Sequence, residues 1–298
     1  MKKNKTITFS EKYKISGDFD FEDIELERDN KKFVDPYLIY ITNDNMSRGC
    51  ANSVIDFFEE LLQFAKKNNK KDGYKFVEYL QENNEVRLGY SKDKPKGKGF
   101  GRDKGKELFD ILINSKAVAT GLVSDIFDAS MMINNVDRDK ISDFTINLIL
   151  EKLITYTQNQ CRRHNVPMSK VKLKRPVWSS QTKQWNDKSE FELPIHKNLP
   201  IILVPKNYVR NRLIYSYQRF YENEMMPYYC QQAMNDPSSG LVKILKRGRV
   251  RPLKNKIRKK YPCTKPNVLK FIEDHPEKYV DYKYRQLNFI DQNNITVK

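Results

Sequence analysis

The sequence predicts an α/β or α+β fold, with a central mixed sheet flanked by helices and a small basic helical C-terminal unit. Three features carry that expectation. Apolar residues recur at helical spacing in 54–67, 104–115 and 144–164. Short apolar or β-branched runs bounded by turn residues, at 33–42, 171–178, 191–195 and 200–205, read as strands. After Asn235-Asp236-Pro237-Ser238-Ser239-Gly240 the composition turns sharply basic.

The expected organisation is a polar and acidic N-terminal arm at 1–32, a main domain at 33–236, and the basic unit at 237–298. In the arm, 6–9 reads as a short strand. Residues 18–29 gather seven acids, either a solvated face or an internal mimic of nucleic acid laid on a basic groove. A turn at Asp35-Pro36 opens the strand 33–42. Asn52 or Ser53 is placed to cap the helix 54–67, and a second helix is expected over 73–83. Gly97, Gly99 and Gly101 alternate with Lys98 and Phe100, a loop whose amides and lysines could approach a phosphate, although no P-loop lysine–hydroxyl pair follows. Asp143 or Ser142 is expected to cap the helix 144–164, with strands then flanking a turn near Lys188. A Tyr- and Arg-rich helix is expected over 208–221, and helical residues over 264–284 broken at His275-Pro276.

The net charge is +17, which suits an anionic partner, nucleic acid above all. Mean hydropathy is −0.76 and the apolar runs are far too short to span a bilayer, so no membrane segment is expected. No apolar segment follows Met1-Lys2-Lys3, so no signal peptide is expected, and the location expected is cytoplasmic. The four cysteines are scattered without a C-x-x-C, as in a reducing compartment. Cys161 and His164 share a helix face, but they make half a zinc site at best.

Acids cluster between residues 120 and 206 beside apolar runs. Asp125 lies between Leu122-Val123 and Ile126-Phe127, Asp143 between Ile141 and Phe144, and Glu192 between Phe191 and Leu193. Carboxylates converging at strand ends can hold Mg²⁺ through hard oxygen ligands. The ion would then activate a water and clamp a scissile phosphate, with Lys206 stabilising the charge that develops. Asp125, Asp143 and Glu192 are the candidate metal ligands, and Asp143, Glu192 and Lys206 the candidate catalytic residues. A structural alternative stands beside each: a helix cap for Asp143, a buried hydrogen bond for Asp125, solvent for Glu192, and a plain strand-terminal lysine for Lys206.

Residues 243–260 hold ten Lys or Arg in eighteen positions. Lys246, Arg247, Arg249, Arg251, Lys254, Lys256, Arg258, Lys259 and Lys260 are the candidate nucleic-acid contacts, neutralising phosphates and releasing counterions. Arg247-Gly248-Arg249-Val250-Arg251-Pro252 is faintly similar to an AT-hook, with the core tripeptide interrupted by Val250-Arg251. Arg210, Arg212, Tyr215, Tyr217 and Arg219 form a second basic and aromatic set that could stack on bases.

The segments D-K-I-S-D-F-T-I-N (139–147), Y-T-Q-N-Q-C (156–161), E-L-P (192–194) and L-P-I-I-L-V-P-K (199–206) look like an uncharacterised bacterial family linked with phage defence. That resemblance spans about 33–284. The arrangement is weakly similar to the PD-(D/E)XK nucleases, in which an acid at a strand start and an E-x-K strand bind metal at phosphate. The resemblance implies Asp143 or Asp125 as first acid, Glu192 as a displaced second acid and Lys206 as the lysine. The sequence departs from that pattern at Val204, two before Lys206, where an acid is expected, and at the intervening Pro205. The function expected is a Mg²⁺-dependent nuclease in anti-phage defence. The alternatives are a non-catalytic nucleic-acid-binding subunit of a multiprotein complex, or an interaction protein using the acidic block; the partners expected are nucleic acid and proteins of a defence complex.

Overall fold

A computed structural model of the chain describes residues 6–89, 103–187 and 190–293. Helix accounts for 54% and strand for 13%, so packing is decided mainly by helices. The strands form two-stranded antiparallel ladders: Phe33–Val34 with Val209–Arg210, Ser169–Lys172 with Glu190–Leu193, Val177–Ser179 with Gln184–Asn186, Ile195–His196 with Leu199–Pro200, and Val242–Ile244 with Val250–Pro252. The mixed α and β character is therefore present, whereas a central mixed sheet is not evident among the described residues.

The chain divides into two compact units, Met1–Ile126 with Asn135–Ile214, and Phe127–Asn134 with Tyr215–Lys298. In the first unit, the middle position is taken by the helix Arg138–Arg163. Seven consecutive residues, Phe144 to Leu150, are buried, so this helix is covered on every side in that stretch. Against it lies the helix Asn45–Lys66, which buries Val54, Phe57, Phe58, Leu61 and Leu62. Phe57 also meets Phe76, Phe144 and Trp178 in an aromatic cluster with Trp185 beside it.

Caps explain where the helices begin, and they correct several expectations. Asp137, not Asp143 or Ser142, caps Arg138–Arg163, accepting from the Lys140 amide. Ser142 instead accepts from the Val34 amide. Asp44 caps Asn45–Lys66, well before Asn52 or Ser53. Asp35-Pro36 is a cap followed by a first-turn proline, so the expected strand 33–42 becomes Phe33–Val34 and then the helix Pro36–Ile41. The segment 201–204 is buried and extended but pairs with no single strand. Ile201 donates to the Pro194 carbonyl, Ile202 to the Glu85 carbonyl and Leu203 to Thr157 Oγ1, while the Val204 carbonyl accepts from Glu22. The Gly97–Gly101 loop and Lys188 lie outside the described residues.

The N-terminal stretch is woven into this unit. Phe9, Phe21, Ile24 and Leu26 pack with Cys161, Val166, Ile201 and Leu203. Between those apolar positions the acids are paired: Asp20 with Arg163 at 3.0 Å, Glu22 with Lys32, Glu25 with Arg28, and Glu27 with Lys197 at 2.5 Å. Asp23 accepts from the amide and hydroxyl of Ser10. The acidic block is thus an ion-paired strap on its own unit.

The second unit packs Tyr217–Phe220, the π-helical turn Tyr221–Met225, Met226–Asn235, Lys265–Asp274 and Pro276–Asn293 around Phe220, Phe271, Ile272, Tyr279 and Tyr282. Most of the helix Ile126–Met132 belongs to this unit. Its Asp128, 1% exposed, accepts from Tyr279 and from Lys283 at 2.9 Å, and Tyr279 accepts from Tyr215.

Candidate functional site

Asp143 sits in the second turn of Arg138–Arg163, facing the start of the helix Asp103–Ile113. Its carboxylate is 3.0 Å from the Lys104 ammonium, which also lies 3.9 Å from Glu82. Burial pushes the Asp143 carboxyl up to about 7, and Lys104 offsets this only in part. For Lys104 itself, burial pulls downward, but Asp143, Glu82 and Asp139 outweigh it and its pKa rises. Asp139 is raised as well, first by burial, against the pull of Lys104. The cavity beside them, lined by Leu80, Lys104, Gly105, Leu108, Asp143 and Phe144, is about 20 Å³, room for one water.

Behind this pair the backbone is clamped. Asn147 donates to the carbonyls of Asp143 at 2.7 Å and Gln81 at 2.6 Å, and Asn83 to the same two at 3.2 Å. Arg175, 5% exposed, donates to the Glu82 carbonyl at 3.1 Å and to Asn83, with Glu85 at 3.5 Å. Lys104 and Arg175 were not singled out by sequence reasoning. Each lies remote in sequence from Asp143, with no local pattern to tie them together.

The other predicted residues lie elsewhere. Glu192 is exposed on its strand, directly opposite Lys170. Asp125 is half-buried just before Ile126–Met132. Lys206 is exposed and donates to the Phe19 carbonyl at 2.8 Å. Among the described residues no three His, Cys, Asp or Glu are grouped to hold a metal ion. Asp125, Asp143 and Glu192 are thus not grouped with one another in the described structure, and the cation beside Asp143 is Lys104. Cys161 is buried in the N-terminal core cluster and His164 packs edge-on against Phe21, so that pair serves packing.

The basic residues form a shaped surface. Val242–Ile244 and Val250–Pro252 pair as a hairpin, with Lys243 directly opposite Arg251. The Leu245 amide donates to the Arg249 carbonyl at 2.7 Å, leaving Lys246, Arg247 and Gly248 as the loop. Arg247 and Gly248 both have positive φ, 64° and 71°. Lys243, Lys246, Arg247, Arg249 and Arg251 are all exposed, as are Ile244 (65%) and Leu245 (40%). The helix Lys254–Lys260 follows, anchored by buried Ile257, with Lys254, Lys256, Arg258, Lys259 and Lys260 outward. Some of its cations are engaged: Arg258 pairs with Glu222 at 2.8 Å, and Lys256 donates to the Gly240 carbonyl at 3.3 Å. In the second basic set, Tyr215 is core, whereas Arg210 and Arg212 are exposed. The hairpin itself was missed, although Val and Ile at alternate positions on either side of Gly248 are its sequence signal.

Fold and surface together define a protein of mixed α and β structure that displays a basic hairpin and helix over 242–260. The chain belongs to the family described as a domain of unknown function, DUF8370, whose model matches residues 12–216. No curated protein and no solved structure matches the chain. The matched stretch ends before the basic hairpin begins. No helix among the described residues is long and apolar enough to cross a membrane.

Proposed function

We propose that the protein binds nucleic acid, using the Val242–Pro252 hairpin and the Lys254–Lys260 helix. The observation that carries this reading is the outward display of Lys and Arg along 243–260, a stretch that contains no Asp or Glu. A dense run of cations over a hairpin and the next helix, offset in the described contacts by Glu222 at Arg258, attracts a polyanion, and releasing its counterions drives binding. A cytoplasmic location, where thiols stay reduced, suits the four free cysteines. This reading needs no hydrolytic step.

Titrating labelled DNA and RNA with the full chain at several salt concentrations tests it. About five phosphate contacts give a slope of log K against log salt of roughly −4. Changing Lys246, Arg247 and Arg249 together to Glu should abolish most of the affinity. Salt-insensitive binding, or unchanged affinity in that variant, removes the proposal. Running the same mixtures with Mg²⁺ on a gel addresses hydrolysis: cleavage lost in Asp143→Asn would restore the nuclease expectation.

A further inference from the structure

The tip of the hairpin has a specific shape and chemistry. Arg247 lies within the three-residue loop Lys246–Gly248 and Arg249 closes it, so two exposed arginines flank Gly248 at the end of a two-stranded ribbon. Arg247 holds a left-handed backbone, φ 64°, which a residue with a side chain rarely adopts. Turn chemistry would favour Gly or Asn there. Beside the arginines, Ile244 and Leu245 stand exposed on a surface that otherwise carries charge. Lys243 and Arg251 face each other across one rung, a like-charge pairing that costs stability unless an anion lies over it.

Resting on the nucleic-acid reading above, we propose that the partner is duplex DNA and that the hairpin tip enters its minor groove at A·T-rich sequence. Two strands about 5 Å apart, with their side chains, are broader than a minor groove about 6 Å wide, so the ribbon stays outside and only side chains at its tip enter. A narrow A·T groove concentrates negative potential and draws arginine, whose guanidinium sheds water more readily than an ammonium. Arg247 and Arg249 supply that pair. Ile244 and Leu245 supply apolar contact against sugars and base edges, as in minor-groove binders that wedge a side chain at a base step. Lys243, Arg251, Lys254 and Lys259 then meet flanking phosphates. A·T runs are distinguished here by groove width, without base-specific hydrogen bonds.

The test compares the full chain on four labelled 20-mers: an A-tract duplex, a G·C duplex, an RNA duplex and a DNA single strand. Netropsin, a minor-groove ligand, is added as competitor. We expect A-tract binding about tenfold tighter than G·C binding, displacement by netropsin, and weaker binding to the A-form RNA, whose minor groove is wide and shallow. The charge-preserving double change Arg247→Lys with Arg249→Lys should bring the two DNA duplexes to within about twofold while sparing G·C affinity. Equal binding to all four, or preference for RNA or the single strand, overturns the minor-groove assignment and leaves general nucleic-acid binding standing. No binding to any of them overturns both. Binding to vesicles containing phosphatidylserine, but to none of the four, assigns the same surface to membranes and also overturns it.

Discussion

The Lys104 ammonium lies 3.0 Å from the Asp143 carboxylate, joining two helices whose partners are 39 residues apart in sequence. An acid chosen from its apolar setting thus finds a cation, but one supplied by the protein. Its surroundings still set its protonation. An unfolded aspartate titrates near about 3.9, whereas Asp143 in the fold titrates at about 7.

The fold therefore holds that proton more tightly between those two values. This contribution to stability is present below about pH 4 and is lost as the pH rises toward 7. Asp143→Asn, always neutral, should gain on wild type with rising pH. We expect the gap in unfolding free energy to widen by about 2–3 kcal/mol from pH 5 to pH 8, read from urea midpoints. A constant gap would show that burial does not govern this carboxyl.

Asp128→Ala should destabilise the second unit by about 3 kcal/mol, because it strips a partner from both Tyr279 and Lys283. Both tryptophans, Trp178 and Trp185, lie in the first unit, so their emission reports on that unit. Loss of helical ellipticity at lower urea, with the tryptophan transition unmoved, is the expected pattern.

Within the acidic strap, packing outweighs charge. Phe21→Ala removes a ring that is 1% exposed and should cost about 3–5 kcal/mol. Asp20→Asn breaks an exposed pair with Arg163 and should cost less than about 1 kcal/mol. Tryptophan-detected denaturation measures both, and the reverse order would mean that the strap is held by its charges.

Arg247→Asn relieves a left-handed arginine and should stabilise the hairpin by about 0.5 kcal/mol. Exchange of the Leu245 amide, which closes the loop onto Arg249, should slow about twofold while DNA affinity falls. Arg258→Ala should change the salt slope less than Lys254→Ala does, since Arg258 is already matched to Glu222.

Much of the helical content was legible, because amphipathic spacing survives in Asp103–Ile113, Lys265–Asp274 and the body of Arg138–Arg163. Helix starts were read too late where a polar first turn preceded the apolar stripe, as at Asp44 and Asp137. The 201–204 run was read as a strand because burial on all sides and strand pairing leave the same apolar signature. The basic surface was visible in composition. Its hairpin was obscured because charge interrupts the apolar alternation. The acids could be ranked by their neighbours in sequence, but the partner of Asp143 is fixed by helix packing, which no local pattern encodes.

Helix Ile126–Met132 lies inside the family-matched stretch, yet residues 127–134 form one compact unit with 215–298, and Asp128 bonds Tyr279 and Lys283 beyond the match. A fragment ending at Ser216 would carry this helix without its bed, and the remaining C-terminal piece would carry the bed without the helix. Neither piece is a self-sufficient module. Shuffling the basic segment onto another protein would require residues 127–134 to travel with it, or leave a raw apolar scar on both products.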